Sequence, residues 1–247
     1  MSLAANLARI HETIAEAVLE AYAAGLRLFG ESRVQEWQQK LPALDHLFNS
    51  TQSESSGGQN SGSSGGHTIY SREITRSDSP SAQDSAQAPA AHVHLIGPLQ
   101  SNKTTRAAEL FHAIDAVDSL KIAARLDAAA HALGKRLPIL IEVKLSYEES
   151  KHGVLPAELP ALLAGLAPLE DLIPAGLMTV PPWTEDPERA RPYFRELRRL
   201  RDRSLAACPT LTQLSMGMSN DFAVAVQEGS TCIRIGTALF GTRAPPA

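Results

Sequence analysis

At 247 residues, with 43% hydrophobic and 20% charged side chains, the chain is long enough for one barrel or two small domains and has the composition of an ordinary globular protein. A formal net charge of −4 without a basic stripe gives non-specific nucleic-acid binding no electrostatic support. Two cysteines without CxxC spacing and eight scattered histidines build neither a disulfide framework nor a metal site.

In chain order, Leu3, Leu7, Ile10, Ile14, Val18, Leu19 and Tyr22 recur at three- and four-residue spacing, which predicts one amphipathic helix running to about Ala24 and closing at Gly25. Arg9, His11, Glu12, Glu16 and Glu20 interrupt any apolar run there, so the segment reads as neither signal peptide nor membrane span, and a cytoplasmic location without a membrane partner is the expectation. LRLFG follows as a strand, and the first lysine of the chain is Lys40. From about Asn49 to Ala91 the composition turns to Ser, Gly, Gln, Asn, Pro and Ala, too few apolar groups to offset the entropy of ordering. We read this as a disordered insert in a loop of a single domain spanning residues 1–247.

Strand and helix signals then alternate. HVHLIG breaks at Gly97 and Pro98, with Ser101 as a candidate N-cap. HAIDAV is a strand, capped into a helix by Asp118 or Ser119 that ends at Gly134. PILIEVKL is apolar up to Lys144 apart from Glu142, as expected of a buried parallel strand. LIPAGLMTV is the next strand, and the following helix sets Tyr193, Leu197, Leu200 and Leu205 against a solvated arginine face. With LTQLSMG and TCIRIG the strand count is seven. That repeating pattern predicts an α/β fold of the (β/α)8 barrel type, one strand short of the eight that close such a barrel.

The most informative stretch is LTQLSMGMSNDFAVAVQEGSTCIRIGTALFG, Leu211 to Gly241. A strand stops at Gly217, which is free to take positive φ and admit a ligand to the backbone. Ser219, Asn220 and Asp221 are successive N-cap candidates, and Gly229 is the C′ residue. Thr231 to Ile235 alternates, with Ile233 and Ile235 on one face and Cys232 and Arg234 on the other. The hydroxyls of Ser215 and Ser219, the backbone N–H groups of Gly236 and Thr237, and Arg234 are the parts an oxyanion site needs at the last two strands of a barrel.

These residues, with HLIGPLQSNKTTR at His94–Arg106, IEVKLSYEESKHGV at Ile141–Val154, GLMTVPP at Gly176–Pro182 and FGESRVQE near Phe29, resemble the pyridoxal-phosphate homeostasis proteins, single-domain relatives of the alanine racemase barrel. The resemblance implies a pyridoxal 5′-phosphate cofactor whose phosphate rests on Ser215, Gly217, Ser219, Gly236 and Thr237. It also implies Arg234 opposite the pyridine nitrogen and His94 and Asn102 near the pocket. It implies a carrier and regulator of the cofactor rather than an enzyme, with pyridoxal-phosphate-dependent apoenzymes as recipients.

Two departures stand out. The family's first strand and the Schiff-base lysine on it are missing, as though IHETIA had been joined directly to EAVLEAYAAG, and Ser32 replaces an asparagine. The expected mode is therefore non-covalent, through the phosphate, in a barrel that lacks its first strand, has another segment in its place, or lost it from the reading frame. Lys144, where the family more often has asparagine, reads as a solvated lysine paired with Glu148 or Glu149, with an amine replacing the missing one as the alternative. Two other classes remain open: a fold-type III racemase, disfavoured by the lack of a second domain and of the lysine, and a degenerate barrel without cofactor.

Overall fold

The computed structural model describes residues 16–48, 90–146, 148 and 152–241. All seven expected strands form: β1 (Leu28–Glu31), β2 (His92–Leu95), β3 (Ala113–Val117), β4 (Leu137–Glu142), β5 (Leu172–Met178), β6 (Gln213–Met218) and β7 (Cys232–Arg234). They make one parallel sheet in sequential order, with helices between successive strands. The helices are α1 (16–23 of the described residues), α2 (Val34–Phe48), α3 (Thr104–Leu110), α4 (Leu120–Ala132), α5 (Leu159–Leu166), α6 (Arg191–Ser204), α7 (Phe222–Gln227) and α8 (Thr237–Phe240). This is a barrel of seven strands among the described residues, in which β1 and β7 pair with one neighbour each.

Alternation along the strands sorts the apolar residues into two sets. Ile139, Ile141 and Val143 join helix residues such as Leu126, Leu159, Phe194 and Leu197 in one large core outside the sheet. Ala116, Leu140, Ala175 and Met178 form a second cluster drawn from strands alone, with Val180 against it, and so line the lumen. Leu214 and Met216 belong to the outer core, which turns Ser215 between them inward.

Several local signals hold. Gly25, Gly134 and Gly229 take φ values of 99°, 61° and 94°, and at α7 the N–H groups of Gly229 and Ser230 return to Val226 and Ala225 carbonyls. Residues 1–15 of the expected first helix lie outside the described residues, as does the insert from 49 to 89. Ala91, placed at the insert's end by composition, is instead fully buried, and its N–H donates to the Leu47 carbonyl across the insertion point.

Other expectations are corrected. Ser101 opens a 3-10 turn, Ser101–Lys103, and the N-cap position of α3 falls to Lys103. Ser119 does hold the expected N-cap position of α4, but without a side-chain bond. On α6 the fully buried anchor is Phe194, with Leu197 and Leu200, while Tyr193 and Leu205 are half-buried, because the core meets the helix one position further round. Its arginine face is not simply solvated: Arg191, Arg195 and Arg198 converge on the buried carboxylate of Glu228, at 2.9, 3.0 and 3.6 Å.

At the amino-terminal end of the barrel the rings of His92 and His112 lie 4.7 Å apart, and His112 Nδ1 accepts from the Val93 N–H at 3.1 Å. Burial, then the neighbouring His92, Lys135 and His94, pull the His112 pKa down to about 4. A base whose native pKa is depressed disfavours the proton in the folded state, so its contribution is complete above about pH 6.5 and is lost as pH falls toward 4. Chemical denaturation at pH 6.5 and pH 5 is expected to show a loss of stability that His112→Asn, which keeps an acceptor for Val93, reduces by roughly 1–2 kcal/mol.

Candidate functional site

The loops after β6 and β7 meet at the carboxyl ends of the strands. Within the first, Met218 N–H donates to Asp221 Oδ1 at 2.7 Å and Asp221 N–H returns to the Met218 carbonyl at 3.1 Å, closing a tight turn. Asp221 thus holds the N-cap position of α7 but uses its carboxylate backward, and Asn220 Nδ2 reaches the Thr184 carbonyl at 2.8 Å. Ser219 is left to bridge the two loops: its Oγ lies 3.3 Å from Gly236 N and 3.2 Å from Ala238 N, accepting from both. Two backbone N–H groups therefore already converge on one oxygen. Above Gly236 there is open space, since a Cβ built there meets nothing within 4 Å.

Arg234 enters the lumen from β7, on the face the alternation predicted. Its Nη1 donates to Ser215 Oγ at 2.7 Å and its Nη2 to the Thr179 carbonyl at 2.8 Å. Burial lowers its pKa from the usual arginine value, opposed by Cys232 and by the carboxylates of Asp115, Glu142 and Asp221. A guanidinium starts so far above neutrality that it remains charged. Cys232, on the same face, has its thiol pushed up to about 11, first by burial and then by Asp115, and stays protonated at neutral pH.

Deeper in the lumen, His94 Nδ1 lies 3.0 Å from Asp115 Oδ1. Both side chains are buried, and His94 Nε2 has no partner among the described residues. They border a small cavity with Ala113, Pro138, Leu140, Ala175 and Gln213. At the end of β1, buried Glu31 accepts from Ser32 N–H (2.7 Å) and Arg33 N–H (3.3 Å) through Oε1 and from Lys40 through Oε2. Lys40 is thus committed to the β1–α2 turn.

Of the residues singled out in the sequence, Ser215, Ser219, Arg234, Gly236 and, next to it, Thr237 come together. Ser215 does so through its hydroxyl, which accepts from Arg234. Gly217 has the expected positive φ of 97°, but the space beside it is filled by α7: a Cβ would lie 2.6 Å from that of Ala225. Its freedom serves the close packing of α7 against β6. His94 faces the lumen, whereas Asn102 is exposed on the 3-10 turn and shares no hydrogen bond with the cluster among the described residues. Reasoning from sequence missed Thr179, whose contribution is a carbonyl that any residue carries. It also missed Asp115, which an acid in the middle of the apolar strand HAIDAV signals. A larger groove between α5 and α6 is lined mainly by apolar residues such as Leu159, Leu163, Leu200 and Ala207, with Arg203 and Ser204.

The chain matches the family described as alanine racemase, N-terminal domain, over residues 9–244. It is 35% identical over 229 residues to a pyridoxal phosphate homeostasis protein of Aquifex aeolicus, covering 92% of this chain and 82% of that one. It is 37% identical over 230 residues to the protein of that name from Pseudomonas aeruginosa, covering 93% and 80%. The structure of PipY from Synechococcus elongatus with PLP bound superposes with a TM-score of 0.71 at 35% identity, over 92% of this chain and 87% of PipY.

Replacing Gly217 by Ala combines a forbidden φ with a 2.6 Å carbon–carbon approach and is expected to cost about 2–4 kcal/mol. Gly25→Ala, with φ 99° and nothing within 4 Å, isolates the backbone part at about 1 kcal/mol. Thermal or denaturant unfolding of the two variants separates these contributions.

Proposed function

This chain belongs to the alanine racemase N-terminal domain family, among the pyridoxal phosphate homeostasis proteins, and on that premise we propose that it binds pyridoxal 5′-phosphate and acts in maintaining the cellular supply of that cofactor. The observation that carries this reading is the pairing of Arg234, fixed by Ser215 and Thr179, with the Ser219-bridged N–H groups of Gly236 and Ala238. The residues fit the group. The N–H groups converge on a single oxygen, as they would on one of phosphate's, and the space over Gly236 is open.

When bound, the cofactor supplies an aldehyde and an electron-withdrawing ring. The chain's own residues bind and orient it. Ser219, Gly236 and Thr237 hold the phosphate, and Arg234 lines the lumen wall beneath. An arginine paired with the ring nitrogen donates a hydrogen bond but keeps its proton, so the nitrogen stays neutral and the electron sink is weak. That favours storage and delivery over racemisation, with pyridoxal-phosphate-dependent apoenzymes as recipients and the cytoplasm as the place of action. No helix of the described residues is long and apolar enough to cross a membrane.

Isothermal titration of the purified chain with pyridoxal 5′-phosphate and with pyridoxine 5′-phosphate tests the assignment. Both are expected to bind, and Gly236→Asp, which sets a carboxylate into open space at the loop, is expected to weaken each by tenfold or more, the scale of one or two charge-assisted hydrogen bonds at about 1.5–3 kcal/mol. Absence of binding by either ligand to the folded chain defeats the assignment.

A further inference from the structure

The first lysine of the chain is locked to Glu31 at the β1–α2 turn, yet the cofactor's aldehyde reacts readily with amines. Another amine lies at the same end of the barrel. Along β4, Ile139, Ile141 and Val143 point to the outer core and Leu140 points to the lumen. Glu142 follows Leu140 on the lumen side, where its charge acts on Arg234. The next inward position is Lys144, just beyond the carboxyl end of the strand.

The backbone at Lys144 is rigidly placed. Its N–H donates to the Val154 carbonyl at 2.9 Å, Val154 N–H donates to the Glu142 carbonyl at 2.8 Å, and Val143 N–H donates to the Met178 carbonyl at 2.8 Å. Gly153 packs so closely that a Cβ there would stand 2.8 Å from Lys144 N. The Val143 carbonyl accepts from Thr179 Oγ1 at 2.9 Å, and the carbonyl of Thr179 accepts from Arg234. Two residues thus connect Lys144 to the arginine at the centre of the site. The side chain is half-buried, and no ion pair or hydrogen bond joins its ammonium to another of the described residues; Glu149, one of the two partners expected from sequence, lies outside them. Lys135, by contrast, bonds the Phe111 carbonyl at the opposite end of the barrel, and Lys121 is exposed on α4.

We propose that Lys144 is the amine that captures the cofactor aldehyde, taking the place of a first-strand lysine that this chain lacks. The proposal rests on the cofactor assignment above. The deprotonated Nζ attacks the aldehyde carbon, the carbonyl oxygen leaves as water, and a carbon–nitrogen double bond forms. No electron is gained or lost, and water reverses the step.

The full chain, mixed with one equivalent of pyridoxal 5′-phosphate, is reduced with borohydride and its peptides are mapped by mass. A single label on the Lys144 peptide is expected. Lys144→Met is expected to abolish the label and the visible imine band while leaving the affinity for pyridoxine 5′-phosphate, which has no aldehyde, unchanged. Label on another lysine, or none, with pyridoxine 5′-phosphate still bound overturns the role of Lys144 and leaves the cofactor assignment standing. Failure of both ligands to bind overturns both.

Discussion

The arrangement at the carboxyl end of this barrel depends on keeping one charge, the guanidinium of Arg234, inside the lumen. Moving such a group from water costs several kcal/mol unless its donors are met. Here Ser215 Oγ and the Thr179 carbonyl meet them, and Asp115, Glu142 and Asp221 supply opposite charge from β3, β4 and the β6–α7 turn. The guanidinium therefore ties together elements from most of the sheet. It also anchors β7, a strand of three residues that among the described residues has a neighbour on one side only.

That anchorage matters because, among the described residues, the sheet has two edges. A closed eight-stranded barrel has none, and exposed edges invite pairing with other chains. β1 and β7 are four and three residues long, short enough to offer little template, yet each carries apolar side chains into solvent: Leu26 and Leu28 beside one edge, Ile233 at the other. The alternation of TCIRIG predicted an apolar face for Ile233. In the structure that residue is 39% exposed, since no strand among the described residues pairs with β7 on that side. At the opposite edge the Glu31–Lys40 pair fixes the exit of β1, with Gly97 close enough that a Cβ would stand 2.3 Å from the Ser32 carbonyl oxygen.

The strands were legible because strands of a parallel sheet are short segments rich in large apolar residues between turn signals, and in PILIEVKL and LTQLSMG the apolar positions outweigh the few polar ones. Helix ends marked by Gly134 and Gly229 were legible for an equally local reason, a positive φ that glycine supplies freely. The N-cap positions of Ser119 and Asp221 were legible too, but not the bonds their side chains make, and Ser101 caps no helix. A short polar side chain bonds whichever N–H is nearest in the folded loop, and for Asp221 that is Met218 rather than a helix N–H. The inward direction of Arg234 followed from alternation, but its partners did not: one is a carbonyl, and the other is a serine whose hydroxyl had been assigned to the ligand. Phe194 shows the same limit on a helix, where a rotation of one residue exchanges the anchor while leaving the amphipathic pattern intact.

On the proposed assignment, this division of labour has a consequence for release. Backbone N–H groups do not titrate, and an arginine keeps its proton even where burial lowers its pKa. Cys232 is pushed up to about 11, away from the physiological range. The grip on the phosphate and ring should therefore vary little across neutral pH beyond the phosphate's own ionisation. A carrier must nevertheless let its cargo go. The imine proposed at Lys144 is the reversible element: hydrolysis regenerates the aldehyde that a recipient needs, and leaves a ligand held only by hydrogen bonds at the mouth of an incompletely paired barrel.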